Sequence, residues 1–383
     1  MFSSLLEILS RFYFPILTIL ASYFFILSLS NHYEMQRFSL PSEIFDGPFV
    51  SVLIPARNEE NNIERCLKSL QDQQYKNYEI LVLNDNSEDN TLNIINRISA
   101  EDSRVKVFNG EQLPVDWYGK PFAIHQLAKQ AKGEILIFTD ADTIHKPTSI
   151  AWAVTNLVRL KADLVSGFIG QVLGSVGEFI AVPSMFCLTG FLISLSINRF
   201  FKKISIFSAA IGQFIAIKRT VFDSIGGCDT FKKKTCEDMH LSRLVKKLGY
   251  STRFLYICDH IECRMYDGYQ NAIKGIARNF YNFLGKNSVL LFSLTIIIFI
   301  FLFLPFPLLF LCIAYGSRWT IYIIIIVGLY TLTWIFMFAG MRLKWIYGFL
   351  WPLLFFNYIY MVGWSWFRKI TGKGFIWKDR KVD

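Results

Sequence analysis

Ile135-Leu-Ile-Phe138-Thr139-Asp140-Ala141-Asp142 is the stretch whose reading decides the fold. Its first four residues are apolar without interruption, the pattern of a strand buried on both faces as in a parallel sheet. The run ends in two carboxylates separated by one alanine. At a strand end, where the chain turns, both can approach one hard cation. Mg²⁺ is commonly held by one or two carboxylates plus ligand phosphate oxygens. The plainer reading is two solvated aspartates capping the helix that follows Pro147. The stretch alone leaves both open.

Composition sets the surroundings. Of 383 residues, 53% are hydrophobic, only 18% are charged and 37 are Phe. That is too apolar for a purely soluble enzyme and calls for membrane spans. The net charge of +10 suits a membrane protein that keeps Lys and Arg on the cytoplasmic side, near anionic headgroups. Nucleic acid is the other use of basicity, but no binding motif accompanies it. The seven Cys show no CxxC pair and no zinc spacing, which describes reduced, mostly buried thiols.

Phe14 to Ser30 is apolar and uncharged, and no small-residue cleavage site follows it. Residues 1–31 therefore read as a retained anchor. A polar linker with Pro41 and Pro48 follows. From about 48 to 260 strands and helices alternate, the signature of an α/β domain with a mostly parallel sheet. Strands are expected at Val50–Ile54, Tyr78–Leu83, Val105–Phe108, Ala162–Phe168 and Gln213–Ile217. Asn58 is expected to cap a helix that buries Ile63, Cys66, Leu67 and Leu70. Further helices are expected at Pro121–Ala131 and Asp238–Leu248.

Residues 179–197 are strongly apolar. As a full span they would separate Asp140 from Glu237 and Asp238 across the membrane, so an interfacial or re-entrant segment broken at Pro183 and Gly190 is preferred. Residues 261–287 read as interfacial helices. Residues 288–367 hold three runs of spanning length, Val289–Tyr315, Ile321–Ala339 and Ile346–Trp366. The tail, 368–383, is basic. Three spans after a cytoplasmic domain put that tail outside, whereas the charge rule wants it inside. A hairpin at Pro305 and Pro307 would reconcile the two.

The candidate site collects at the carboxyl ends of the strands, where ligands bind in open α/β sheets. Asp85 ends the second strand in the turn-rich stretch Asn84–Asn90, and as a lone residue it is also an ordinary turn residue. Lys120 opens a helix, a position suited to phosphate. Glu237 and Asp238 open another helix. They are either acids favoured by the helix dipole or a general base that takes a proton from an acceptor hydroxyl. There is no Walker-type loop and no Ser-His-Asp or Cys-His arrangement. His125 and His240 stand singly and suit surface or core better than ligation.

In order, Val52-Leu-Ile-Pro55-Ala-Arg57-Asn-Glu59, Asn84-Asp85-Asn-Ser-Glu-Asp-Asn-Thr91, Gly119-Lys120-Pro121, Thr139-Asp140-Ala-Asp142, Gly226-Gly227 and Glu237-Asp238 resemble the family-two glycosyltransferases. The resemblance runs from about Pro48 to Asp238 and implies the GT-A fold, a Rossmann-like nucleotide-sugar domain, here with transmembrane helices at both ends. The apolar insert, the stretch Arg264–Asn279 and the hydrophobic C-terminus are similar to carotenoid- and hopanoid-associated membrane members.

The resemblance implies roles. Pro55, Ala56, Arg57 and Glu59 would line the base pocket, and Asp85 would hold base or ribose. Lys120 would contact nucleotide or diphosphate. Asp140 would lie near ribose and sugar, and Asp142 would ligate Mn²⁺ or Mg²⁺. Asp238 would be the base, with Glu237 beside it. Processive members carry Gln-x-x-Arg-Trp; here Gly275-Ile-Ala-Arg278-Asn279 keeps only the Arg, which argues for a single transfer. Arg278 is left as a phosphate contact, an acceptor contact or an interfacial cation.

The expectation is an integral, plasma-membrane enzyme with a cytoplasmic catalytic domain. It would move one sugar from a nucleotide sugar, a UDP-sugar first, to a lipid or terpenoid acceptor by inverting displacement. A polyprenyl-phosphate sugar synthase is the alternative. A non-catalytic scaffold or transporter is more distant, because the spans show neither charged interiors nor repeated halves.

Overall fold

β1 (Val50–Ala56), β2 (Tyr78–Asn84) and β4 (Ile135–Thr139) form the middle of a seven-stranded sheet, with β1 parallel to both neighbours. They come from a computed structural model that describes residues 2–185, 193–201, 203–234, 236–283, 287–377 and 380–382. β3 (Val105–Asn109) extends the sheet beyond β2. On the other side lie β8 (Phe214–Lys218), β6 (Leu164–Phe168) and β9 (Thr252–Tyr256), giving the order β3-β2-β1-β4-β8-β6-β9. β8 is antiparallel to both its neighbours, so the sheet is mixed at that point. A small second sheet joins β5 (Thr143–His145), β10 (Ile261–Cys263) and β7 (Gly170–Gln171) in the order β5-β10-β7.

The central strands bury alternate residues in two different cores. Val52 and Ile54 meet α2 (Ile63–Gln71), α3 (Thr91–Glu101) and α5 (Ser149–Arg159) on one face. Leu53 meets α4 (Gly119–Gln130) on the other. This explains why those strands read as unbroken apolar runs. The sheet halves also approach closely. A Cβ on Gly133 would lie 2.4 Å from the Ser51 nitrogen, where the Gly133 N–H donates to Ser51 Oγ.

Three expectations change. Asn58 caps no helix. It lies in a left-handed turn (φ 50°), and α2 begins at Ile63, after Asn62. Asn58 Oδ1 instead accepts the Glu88 N–H, lacing the loop after β1 to the loop after β2. The stretch expected to be a linker is bound to the domain: the Glu43 and Ile44 N–H groups both donate to Thr155 Oγ1. The chain does not turn back at Pro305. Residues Ser288–Ala314 are one helical run of 27 residues.

The proline is absorbed by a wide turn over Phe299–Phe303. The Leu304 N–H reaches back to the Phe299 carbonyl, skipping Ile300, and Pro305 has no N–H to give Phe301. Two carbonyls are thereby left over, and two tyrosines supply donors. Tyr13 Oη donates to the Ile300 carbonyl at 2.8 Å and Tyr330 Oη to that of Phe301 at 2.7 Å. An unmet carbonyl away from water is costly, so these bonds permit the irregular helix.

The chain divides into two units. One comprises Glu34–Val172 and Ile193–Met265 and contains both sheets just described. The other comprises Met1–Tyr33, Leu173–Leu192 and Tyr266–Asp383. Among the described residues four helices are long and apolar enough to cross a membrane: Arg11–Arg37, Ser288–Ala314, Thr320–Gly340 and Trp345–Ile370. The first is part of α1 (Phe2–Phe38), which continues past the expected anchor.

Within the second unit, α6 (Val176–Ser184) is nine residues long, too short to cross. The Asn357 amide donates to Ser184 Oγ at 3.1 Å and Tyr269 Oη donates to Asn357 Oδ1 at 2.6 Å. Gly190 lies outside the described residues.

Candidate active site

β1, β2 and β4 are parallel and in register, with Ala56 opposite Asn84 and Leu53 opposite Phe138, so their carboxyl ends share one edge. Pro55 and Ala56 end β1 there. The Asp85 N–H donates to the Ala56 carbonyl at 2.7 Å. The Arg57 guanidinium donates to the carbonyls of Asp85 and Asn86 at 2.8 and 2.7 Å. Asn58 and Asn86 both take positive φ, which Asn tolerates better than most residues. The Glu59 N–H donates to Thr91 Oγ1 at 2.7 Å. The two loops are thus held together by their backbones, with Asp85 buried between them.

The second group gathers around Lys120. Its Nζ lies 2.6 Å from Asp140 Oδ1 and 3.4 Å from Glu237 Oε1. Burial works against the ammonium, but the charges of Asp140, Glu237 and Asp238 outweigh it and raise the Lys120 pKa. Lys120 bridges carboxylates at the place where the resemblance implies a contact to nucleotide or diphosphate.

Asp238 accepts the Gly212 N–H at 2.8 Å and the Met239 N–H at 2.7 Å. Burial, and then the charge of Glu237, push its pKa up to about 6, against the lowering by Lys120 and the two N–H donors. Glu237 and Asp238 open α9 (Glu237–Lys247), and Cys236 before them is left-handed, at φ 60°.

Asp140 and Asp142 cap no helix, because β5 intervenes and α5 starts at Ser149. The turn between β4 and β5 is fixed from behind. Thr143 Oγ1 donates to the Asp140 carbonyl at 2.7 Å and Thr139 Oγ1 to the Gln213 carbonyl at 3.0 Å. His145 Nε2 lies 3.0 and 3.1 Å from the two hydroxyl oxygens. Burial lowers His145 to about 3, so the ring is neutral and structural. Asp142 sits near Cys263 of β10, whose thiol is raised by burial and then by the charges of Asp142 and Asp140.

A divalent cation suits this donor set in one manner. Asp140 is engaged by Lys120, and among the described residues no three Asp, Glu, His or Cys converge on one point. The described residues build no closed cage. An Asp142 carboxylate completed by ligand phosphate oxygens is the arrangement these residues fit.

Ten of the expected site residues lie in one unit: Pro55, Ala56, Arg57, Glu59, Asp85, Lys120, Asp140, Asp142, Glu237 and Asp238. Arg278 lies in the other, on α10 (Tyr269–Phe283). Sequence reasoning missed Gly212 and the Thr139–Thr143–His145 group. A Cβ on Gly212 would lie 2.9 Å from Lys120 Nζ and 3.4 Å from Asp238 Oδ2, so the glycine admits the charge cluster. Its signal was a Gly-Gln pair just before an apolar strand. The threonines and histidine carried none, because their partners are set by the turn.

Known proteins resemble the chain over this part of its length. The family described as Glycosyl transferase family 2 matches residues 51–226. The chain is 30% identical to the probable glycosyltransferase YdaM of Bacillus subtilis, over 58% of this chain and 53% of that one. It is 28% identical to a beta-monoglucosyldiacylglycerol synthase of Nostoc, over 47% and 38% of the two chains. It is 40% identical to the 4,4'-diaponeurosporenoate glycosyltransferase of Staphylococcus haemolyticus, over 24% of each. The chain spans about half the length of the first of these relatives and less of the others.

Among solved structures, the mannosyltransferase PcManGT from Pyrobaculum calidifontis, in complex with GDP-Man and Mn²⁺, has a TM-score of 0.55 at 18% identity. That match covers 94% of this chain and 99% of the other, and the likeness is one of fold. Residues 51–226 of this chain match the glycosyltransferase family 2 model, and the fold is GT-A.

Proposed function

We propose that the chain is a membrane-bound inverting glycosyltransferase that moves one sugar from a nucleoside diphosphate sugar to a lipid. The observation that carries this is the pairing of Asp238 with the Lys120–Asp140–Glu237 cluster. A carboxylate pushed up to about 6 is ionised at neutral pH yet basic enough to take a proton from a hydroxyl. The acceptor oxygen attacks the anomeric carbon, the bond from that carbon to the diphosphate oxygen breaks, and the hydroxyl proton passes to Asp238. Configuration inverts because the displacement is single.

Asp142, with Asp140 beside it, would hold Mn²⁺ or Mg²⁺. When bound, that ion would neutralise charge on the departing nucleoside diphosphate. Asp85, Arg57 and the end of β1 would receive base and ribose, and a UDP-sugar is the donor to try first. Arg278 would serve the acceptor or its headgroup.

A lipid acceptor is supported by the four apolar helices among the described residues and by two relatives, a beta-monoglucosyldiacylglycerol synthase and a 4,4'-diaponeurosporenoate glycosyltransferase. A carotenoid-like terpenoid acid is the finer reading, supported by the 40% identity over a quarter of the chain. An acid of that kind arrives ionised and needs no base, so with it transfer would survive in Asp238→Asn and be lost only in Asp142→Asn. The catalytic unit would face the cytoplasm, where nucleotide sugars are made.

The test uses detergent-solubilised protein, Mn²⁺, radiolabelled nucleotide sugars and a membrane-lipid extract. Label entering the organic phase from one donor, and lost in both Asp142→Asn and Asp238→Asn, is expected. An acid-labile sugar phosphate product would move the assignment to a polyprenyl-phosphate sugar synthase. Neither transfer nor nucleotide binding in folded protein would refute the proposal.

A further inference from the structure

Outside the site, one surface of the catalytic unit is apolar and basic at once. α7 (Leu195–Phe200) and the segment after it read Arg199-Phe-Phe-Lys-Lys-Ile-Ser-Ile-Phe207. Phe200, Phe201 and Ile206 are 66%, 54% and 65% exposed, and Ile204 is exposed beside them. Lys203 is exposed as well. Water is a poor neighbour for four large apolar side chains placed together.

The same unit shows where this segment is fixed. Arg199 donates from Nε to Glu34 Oε2 at 3.0 Å and from Nη2 to Glu34 Oε1 at 2.9 Å. Ser196 Oγ donates to the same carboxylate at 3.1 Å. Met35 packs with Leu195, Ala209 and Phe254. Glu34 and Met35 lie near the end of α1, just before Arg37 closes its apolar span. A fork-shaped pair on a buried carboxylate ties α7 to Glu34, in the last turns of α1.

The charge around the joint is positive. Lys246 is buried and donates to the Asn198 carbonyl, and Arg253 is close enough to Arg199 for their charges to interact. Aromatic and aliphatic side chains mixed with cations, held at the end of a span, match a headgroup layer bearing negative charge. We propose that the segment from Arg199 to Phe207 is a membrane-docking loop, inserting Phe200, Phe201 and Ile206 into an anionic bilayer surface. It would give the catalytic unit a second attachment besides the covalent one. The inference rests on reading α1 as a membrane span.

The experiment uses full-length protein reconstituted in phosphatidylglycerol-rich vesicles. A polarity-sensitive fluorophore is placed on Phe201→Cys, on Val115→Cys (98% exposed, same unit) and on Ile19→Cys (71% exposed, mid-span), each read against labelled protein lacking the new cysteine. The Phe201 label is expected to be quenched by headgroup-proximal lipid nitroxides and shielded from iodide, with the Val115 label showing the reverse. Lys203→Ala is expected to lower the docked-to-free ratio about fivefold in these vesicles and to change nothing in pure phosphatidylcholine. Iodide quenching of the Phe201 label while Ile19 is quenched by lipid overturns the loop and leaves the span standing. A Phe201 label shielded from both quenchers means a protein contact, and also overturns it. An Ile19 label untouched by lipid removes the premise itself.

Discussion

Replacing Lys120 by Met separates two roles for that residue. If the ammonium chiefly sets the charge balance of the acids, its loss changes the base before it changes donor binding. Lys120 Nζ and Asp238 Oδ2 both approach the empty Cβ position of Gly212, so they are at most about 6 Å apart. At an effective dielectric near 20 that separation is worth about 2.5 kcal/mol. The lysine side chain is 33% exposed, so screening leaves roughly half, or about one pH unit.

The sign follows from charge. A cation favours the ionised form of Asp238, so removing it raises a pKa that already lies at about 6. As the proposed base, Asp238 works only when ionised. Activity in Lys120→Met is therefore lost from a higher pH downward, with the acid limb of kcat/KM near about 7 instead of about 6. The assay is transfer of labelled sugar from saturated to limiting donor, across the pH range, for both proteins. An unmoved acid limb together with a raised donor KM would refute the electrostatic role and return Lys120 to phosphate contact.

Gly212→Ala places a methyl group 2.9 Å from Lys120 Nζ and 3.4 Å from Asp238 Oδ2. Transfer is expected to fall by roughly tenfold to a hundredfold, with thermal stability little changed because the lysine end can shift; a drop in stability with unchanged transfer would count against it. Gly133→Ala is the opposite case. Its Cβ meets backbone at 2.4 Å, so a loss of about 1–3 kcal/mol is expected in a denaturation midpoint, with the acid limb unmoved in whatever protein folds.

What the sequence made legible was whatever burial writes into local pattern. The Ile135–Phe138 run, the helix face of Ile63, Cys66, Leu67 and Leu70, and the long apolar spans each carry their own period. All four helix residues are buried, and the run pairs with β1 as a parallel strand. Relations between distant residues were not legible. The antiparallel entry of β8 was hidden because an apolar strand reads the same in either direction. The bridging place of Lys120 depends on Gly212 approaching from ninety-odd residues away, which no local pattern encodes. Asn58 misled for a definite reason: the same side chain that caps helices also tolerates a left-handed turn, and the lacing to Glu88 selected the second.

The tyrosine bonds to the widened helix also set an order in time. Tyr13 is made well before its acceptor, because the carbonyl it serves is 287 positions later. At cellular elongation rates the donor waits on the order of tens of seconds for its acceptor. Phe14 waits likewise for Trp319, on which it stacks at 5.0 Å. The helix bundle therefore closes late, after the whole catalytic unit has been synthesised. A chain stopped short of Ile300 would leave α1 without the partners that finish it.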